Sequence, residues 1–302
     1  MKKSISLIFV NIITLICIIA LLTSCKNTDS KEEKAVTTDE NTEKAIIIEH
    51  RDKRKDITYQ MTNAKTWLKA NEKDTTKMTI VMDLNRTDDK NIKKMDSIIV
   101  PSTFEGNRED YLPFPLQLES IKNISKIILF SYPTQTFAAY QNGTLVYTGP
   151  TNMGREKDPT PTGLFFTNWK AEETTSTFND EWELKWNFNI ENKLGVGFHQ
   201  YELPGYPASH SCLRLREKDA QYLYDWADQW VLADEETVKA KGTPVLVFGK
   251  YDFKGAKPWL QLIEKPYALE ISEQELSNLI KLNLAAIIKE QKNSKLVASN
   301  NK

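Results

Sequence analysis

Beyond Ser125 the chain becomes a succession of short β-branched and aromatic runs closed by turn residues, and no other feature restricts the fold as much. Lys126–Ser131, Thr136–Tyr140 and Leu145–Thr148 read as strands. Gln141-Asn142-Gly143 between the last two is a hairpin turn, because a two-residue connection demands the positive φ that Asn-Gly supplies. Further strands are expected at 163–168, 184–190, 195–199 and 243–248. Strands this short and this closely spaced argue for a β-sandwich or barrel-like core. A helix is predicted from Glu217 to Val231, where Ala220, Leu223, Tyr224, Ala227 and Trp230 recur every three or four residues. A second, amphipathic helix from Ile271 to Lys289 caps the domain or lies beside it. The expected class is mainly β with flanking helices (α+β).

Ahead of this core, residues 45–118 read as a small α/β subdomain. Asn63 to Lys69 has helical spacing, Met78 to Leu84 is a strong apolar run, and Met95 to Pro101 closes the segment. Tyr111-Leu-Pro-Phe-Pro115 is a proline-stiffened link out of it. The Leu84-Asn85 pair and the terminal Asp96-Ser-Ile-Ile-Val-Pro101 resemble a worn LysM-type glycan-binding module. The other reading is a subdomain that packs on the domain at 119–255. Residues 256–302 are a C-terminal helical extension and tail.

Residues 1–24 have the charged start and apolar run of a secretory signal. Leu22-Thr-Ser-Cys25 is similar to a bacterial lipobox, which implies cleavage before Cys25, lipidation of its thiol and a membrane anchor; an uncleaved anchor is the alternative. Residues 25–44 are polar and charged, a disordered tether. The expected location is the cell envelope, the periplasm in a diderm cell. With 40 Lys and Arg against 41 Asp and Glu spread along 302 residues, nothing resembles a nucleic-acid binder. No zinc-type Cys and His spacing occurs.

Of three cysteines, Cys17 leaves with the signal and Cys25 becomes a thioether, so Cys212 is the single free thiol expected in the mature protein. A lone thiol in an exported protein is either a buried small hydrophobe or reactive. Two of the three histidines, His199 and His210, fall within the fourteen residues that end at Cys212. Imidazole is the side chain whose pKa suits it to take a thiol proton near neutrality.

The segment from His199 through Ser209-His210-Ser211-Cys212-Leu213-Arg214 resembles the signature of the L,D-transpeptidases (YkuD type). The resemblance extends to Tyr140–Val146, Gly149-Pro150 and Thr160-Pro-Thr-Gly163, covering about residues 124 to 253. It implies Cys212 as nucleophile, His199 as proton acceptor and donor oriented by the Gln200 carbonyl, and His210 shaping the same pocket. It places Ser209, Ser211, Arg214, Gln200 and Tyr201 around substrate or oxyanion, with backbone N–H groups near Ser211 and Cys212 as donors and Arg214 as a carboxylate partner or brace. The implied substrate is a peptidoglycan stem tetrapeptide, cross-linked through a Cys thioester. Hydrolysis by the same site (an L,D-carboxypeptidase) and a non-catalytic peptidoglycan-binding lipoprotein are the alternatives. No metal or organic cofactor is implied. Two positions depart from the family pattern: Ser211 stands where glycine is usual, which costs strain if φ is positive there, and the loop after His199 is short.

Trp169 to Trp186 is expected to be a loop and a candidate lid, against a reading in which Trp182 and Trp186 pack in the core. Tyr201, Tyr206 and Pro207 are the stronger candidates for substrate contact. His50, in a charged run, is given no role.

Overall fold

The computed structural model describes residues 52–175 and 183–300, all within one compact unit. The signal, Cys25, the tether, His50 and Trp182 lie outside the described residues.

The first elements are β1 (Tyr59–Asn63), α1 (Ala64–Asn71), α2 (Thr75–Leu84) and β2 (Ser97–Pro101), with β1 antiparallel to β2. Asn63 caps α1 by accepting from the Thr66 amide and Asp74 caps α2 by accepting from Lys77, which satisfies amides that a helix start leaves orphaned. The apolar run at 78–84 is α2. Met78, Ile80, Val81, Met82 and Leu84 are all buried, so exposure in this helix is concentrated in its first turn, at Thr75 and Thr76.

Two sheets follow. The larger has the order β5-β4-β3-β13-β6, with β3 (Lys126–Ser131), β4 (Thr136–Gln141), β5 (Thr144–Pro150), β6 (Gly163–Phe166) and β13 (Pro244–Phe248). The smaller has the order β10-β9-β8-β7, from β7 (Lys170–Thr175), β8 (Glu183–Glu191), β9 (Val196–Gln200) and β10 (Leu213–Leu215). Asn142 and Gly143 have φ of 50° and 80°, the doubly positive turn that Asn-Gly predicts. The sandwich core lies between the sheets, where Phe130 and Phe137 meet Phe188 and Phe198, closed by Leu223 and Trp226 of α3 (Glu217–Trp226). The other face of the large sheet buries Leu129, Ala138, Tyr140 and Leu246 under Leu276 and Ile280 of α4 (Glu273–Lys281) and Ile287 of α5 (Leu284–Asn300). Two-sided burial is why its strands read as continuous apolar runs.

Three expectations need correction. The helix from Glu217 stops at Trp226 rather than Val231: Ala227 is extended, the Asp228 amide turns to the Thr243 hydroxyl and the Trp230 amide to the Asn168 carbonyl, so tertiary partners outcompete the helical ones. Val231 starts a small hairpin, β11 (Val231–Leu232) with β12 (Val238–Ala240). The helix expected from Ile271 to Lys289 is two, broken at Leu282-Asn283. The expected loop at 169–186 contributes β7 and the start of β8.

Candidate active site

The small sheet brings the signature together. β10 runs parallel to β9, with Leu213 opposite Phe198 and Arg214 opposite His199. Cys212, one residue before β10, therefore reaches the same edge as His199, and both line a cleft of about 210 Å3 with His210, Ser209, Arg214 and Tyr201. Tyr206 and Gln200 stand outside the lining: Tyr206 is half exposed under Lys257, and Gln200 contributes its carbonyl.

His199 is 3% exposed, and its Nδ1 lies 2.9 Å from the Gln200 carbonyl. A carbonyl only accepts, so this bond puts the proton on Nδ1 and leaves Nε2 with its lone pair. Burial drives the imidazole pKa down to about 4, with Arg214 adding to the fall and the Gln200 bond opposing it. Cys212 is the free cysteine among the described residues. Burial pushes its thiol up, while a backbone hydrogen bond at Gly197 and the charge of Arg214 hold it down in part. Its Sγ faces the Gly195 carbonyl at 3.7 Å. Near neutral pH the pair is thus thiol and neutral imidazole, not a preformed ion pair.

The turn carrying Cys212 is tied at every residue. The buried Ser209 hydroxyl donates to the Cys212 carbonyl at 2.5 Å, and its amide donates to the Met153 carbonyl. Ser211 has φ of 82°, the left-handed conformation that favours glycine, and its hydroxyl donates to the His210 carbonyl. The Ser211 carbonyl accepts from Thr160 Oγ1 at 2.8 Å, and that hydroxyl accepts from the Gly154 amide at 2.8 Å. Gly154 admits no side chain there, because a Cβ would meet the Asp158 carbonyl at 2.3 Å. On the far side of β10, the Asn152 and Arg214 backbones exchange two hydrogen bonds of 2.9 Å.

The Arg214 guanidinium lies 4.4 Å from the Tyr201 ring centroid, and it makes no ion pair among the described residues. Burial lowers its pKa. His210 is exposed at the rim, its pKa lowered first by burial and then by Arg155.

Several lining residues escaped the sequence reading. Asn187 and Asn189 of β8 are buried, point into the cleft and alternate with Phe188 and Ile190. A strand whose polar residues are buried on one face signals a polar-walled cavity, and that alternation was there to be read. Trp169 lines the cleft and donates from Nε1 to Asn192. Trp186 does not: at a bulge in β8, with φ of 53°, it packs edge-on against Tyr224.

Residues 125–247 match the family model described as YkuD, the L,D-transpeptidase catalytic domain. Similar solved structures include an L,D-transpeptidase from Stackebrandtia nassauensis, 21% identical, covering 42% of this chain and 57% of that one with a TM-score of 0.35. An L,D-transpeptidase from Mycobacterium tuberculosis H37Rv is 20% identical over 41% and 58%, with a TM-score of 0.33. A mutant of the Enterococcus faecium enzyme is 24% identical over 41% and 50%, also with a TM-score of 0.33. The matched region thus spans less than two thirds of each of these relatives. No curated protein matches. Residues 125–247 of this chain are a YkuD-type L,D-transpeptidase catalytic domain.

Proposed function

We propose that the chain acts on peptidoglycan stem tetrapeptides as an L,D-transpeptidase. The observation that carries this reading is His199, held with its proton on Nδ1 by Gln200 and its Nε2 free, in the same cleft as Cys212. As the Cys212 sulfur bonds to the carbonyl carbon of the third stem residue, its proton passes to His199 Nε2. The developing oxyanion is met by backbone N–H groups at Ser211 and Cys212, fixed dipoles of the kind acyl transfer requires. The C–N bond then breaks, the imidazolium protonates the leaving D-alanine, and a thioester remains on Cys212. An amine from a second stem attacks it, His199 takes that proton, and the thiol is restored. Arg214, with no ion-pair partner among the described residues and lining the cleft, would hold a stem carboxylate.

On this reading the protein works in the cell envelope, anchored to a membrane through a lipid on Cys25, with residues 25–44 as its tether. The subdomain at 45–118 is proposed to serve the catalytic domain, since Leu84 and Asn85, which carried the glycan-module likeness, are buried.

The test incubates the full chain and its Cys212→Ala variant with purified disaccharide-tetrapeptide and follows products by mass spectrometry. Dimers joined through the third residues and lacking one D-alanine support transpeptidation. Tripeptide alone replaces it with L,D-carboxypeptidation, and the absence of any Cys212-dependent product overturns catalysis in favour of a binding lipoprotein.

A further inference from the structure

The βααβ unit touches the catalytic domain chiefly through the last turn of α2 and the residues after it, and those contacts reach the nucleophile segment from two directions. On one side, Asp83 accepts from Arg216 at 2.5 Å and from Arg108 at 2.6 Å, and both arginines also bond Asp219 at the start of α3, directly downstream of β10. On the other, Thr87 and Asp88 hold Leu203, in the loop that leads from His199 to Cys212. Thr87 Oγ1 donates to the Leu203 carbonyl at 2.9 Å, and the Leu203 amide donates to Asp88 Oδ2 at 2.5 Å. Leu203 and Thr87 are fully buried, so without these side chains two backbone groups would lie in the interior unpaired.

The two halves of the loop are anchored differently. The half nearer Cys212 is tied to the catalytic domain itself, with Ala208 and Ser209 donating to the Met153 carbonyl. In the half nearer His199 the Tyr201 amide donates to the Leu215 carbonyl at 3.0 Å, and beyond it Leu203 takes both of its bonds from the N-terminal unit. Two residues before Leu203 stands Tyr201, whose ring stacks on the Arg214 guanidinium and sits edge-on to His199, with ring centroids 6.0 Å apart.

We infer that Thr87 and Asp88 are positioning residues for the active site: by gripping Leu203 they set Tyr201, and through Tyr201 the placement of Arg214 and His199. The inference rests on the catalytic reading of Cys212 and His199. It makes the N-terminal unit part of the enzyme's geometry, with the grip lying outside the cleft and touching no reacting atom.

The variant pair that isolates the grip is Thr87→Val with Asp88→Asn. Valine keeps the shape of threonine and loses the donor. Asp88 Oδ1 is committed to its own turn by the Lys90 and Asn91 amides, so asparagine keeps an oxygen there and turns its NH2 toward the Leu203 amide. Made in the full chain, the double variant is expected to lose about ten- to a hundredfold in kcat/KM, the scale set by small misplacements of reacting groups. The pH midpoint for alkylation of Cys212 by iodoacetamide should shift with it, while Thr87→Ser stays at the parental value in both. Alkylation needs no substrate, so it reports on the grip separately; turnover persisting in Cys212→Ala would instead sink the catalytic assignment. Parental kcat/KM and alkylation midpoint in a double variant with unchanged near-ultraviolet circular dichroism overturn the proposal. So does a loss that only tracks the unfolded fraction. If the double variant does not fold, Thr87→Val against Thr87→Ser makes the same comparison.

Discussion

The carboxylate of Asp83 and the guanidinium of Arg216, 133 positions apart in the chain, meet at 2.5 Å where Asp83 is wholly buried. Arg108 completes the arrangement: burial works against its charge, but Asp83 and Asp219 raise its pKa well above the ordinary arginine value. Asp83→Ala would leave two largely buried guanidiniums sharing Asp219. The expected cost is about 3 kcal/mol or more of unfolding free energy, read from urea titration, and Asp83→Ala with Arg216→Met should recover part of it. Equal stability in the single and double variants would contradict this account.

Ser211 occupies a left-handed conformation without being glycine. Ser211→Gly is expected to raise unfolding free energy by about 1 kcal/mol, the lower end of what such strain costs. Ser211→Val should lower it by more, since a β-branched side chain tolerates positive φ least. Thermal unfolding of both variants decides it; a destabilised glycine variant would mean that the hydroxyl bond to the His210 carbonyl outweighs the strain.

His199 accepts a proton only near pH 4 in the folded protein, against an ordinary imidazole value of 6.5. Between these values the unfolded chain binds more protons, so stability falls as pH drops from 6.5 toward 4 and the loss levels off below that. The contribution is roughly 2 kcal/mol between pH 7 and pH 4.5. His199→Gln should remove that much of the acid sensitivity, measured as the difference between its urea curves and the parent's at the two pH values. An identical pH slope in the variant would show that His199 does not titrate this way.

Alkylation of Cys212 should run with a pH midpoint above that of an ordinary thiol, because burial dominates its surroundings. Arg214→Gln removes a charge that opposes that rise, so its midpoint should move higher still. For turnover, the same variant should raise KM for the tetrapeptide about tenfold, the loss of one charge-assisted contact, with a smaller effect on kcat. An unchanged KM would make Arg214 a brace for Tyr201 only.

The strands of the large sheet were legible because β-branched and aromatic runs with Asn-Gly at a turn leave few other structures open. The signature residues were legible as a cluster, and the Gln200 carbonyl lies 2.9 Å from the His199 Nδ1. The nature of α2 was not: its later part, from Ile80 to Leu84, is buried all round and gives no amphipathic period, so Met78 to Leu84 showed only its apolarity, although Asp74 three residues before Lys77 offered a cap. β10 is three residues long, too short for any periodicity to register. The Asp83, Arg108, Arg216 and Asp219 arrangement, like the hold of Thr87 and Asp88 on Leu203, joins residues distant in sequence through contacts that exist only after folding, and no local pattern encodes them.

The parallel pairing of β9 with β10 has a bearing on how such a site can change. Two parallel neighbours can never be joined by a tight hairpin; the chain must travel back along the length of the strand before it re-enters. Here that return path is Tyr201 to Ser211, and it is also the wall of the cleft. The ladder sets His199 and Cys212 in register and the ties at Leu203 and Ala208 hold the two ends of the path, so changes of length that fall between those ties can reshape the cleft wall while the two side chains keep their places.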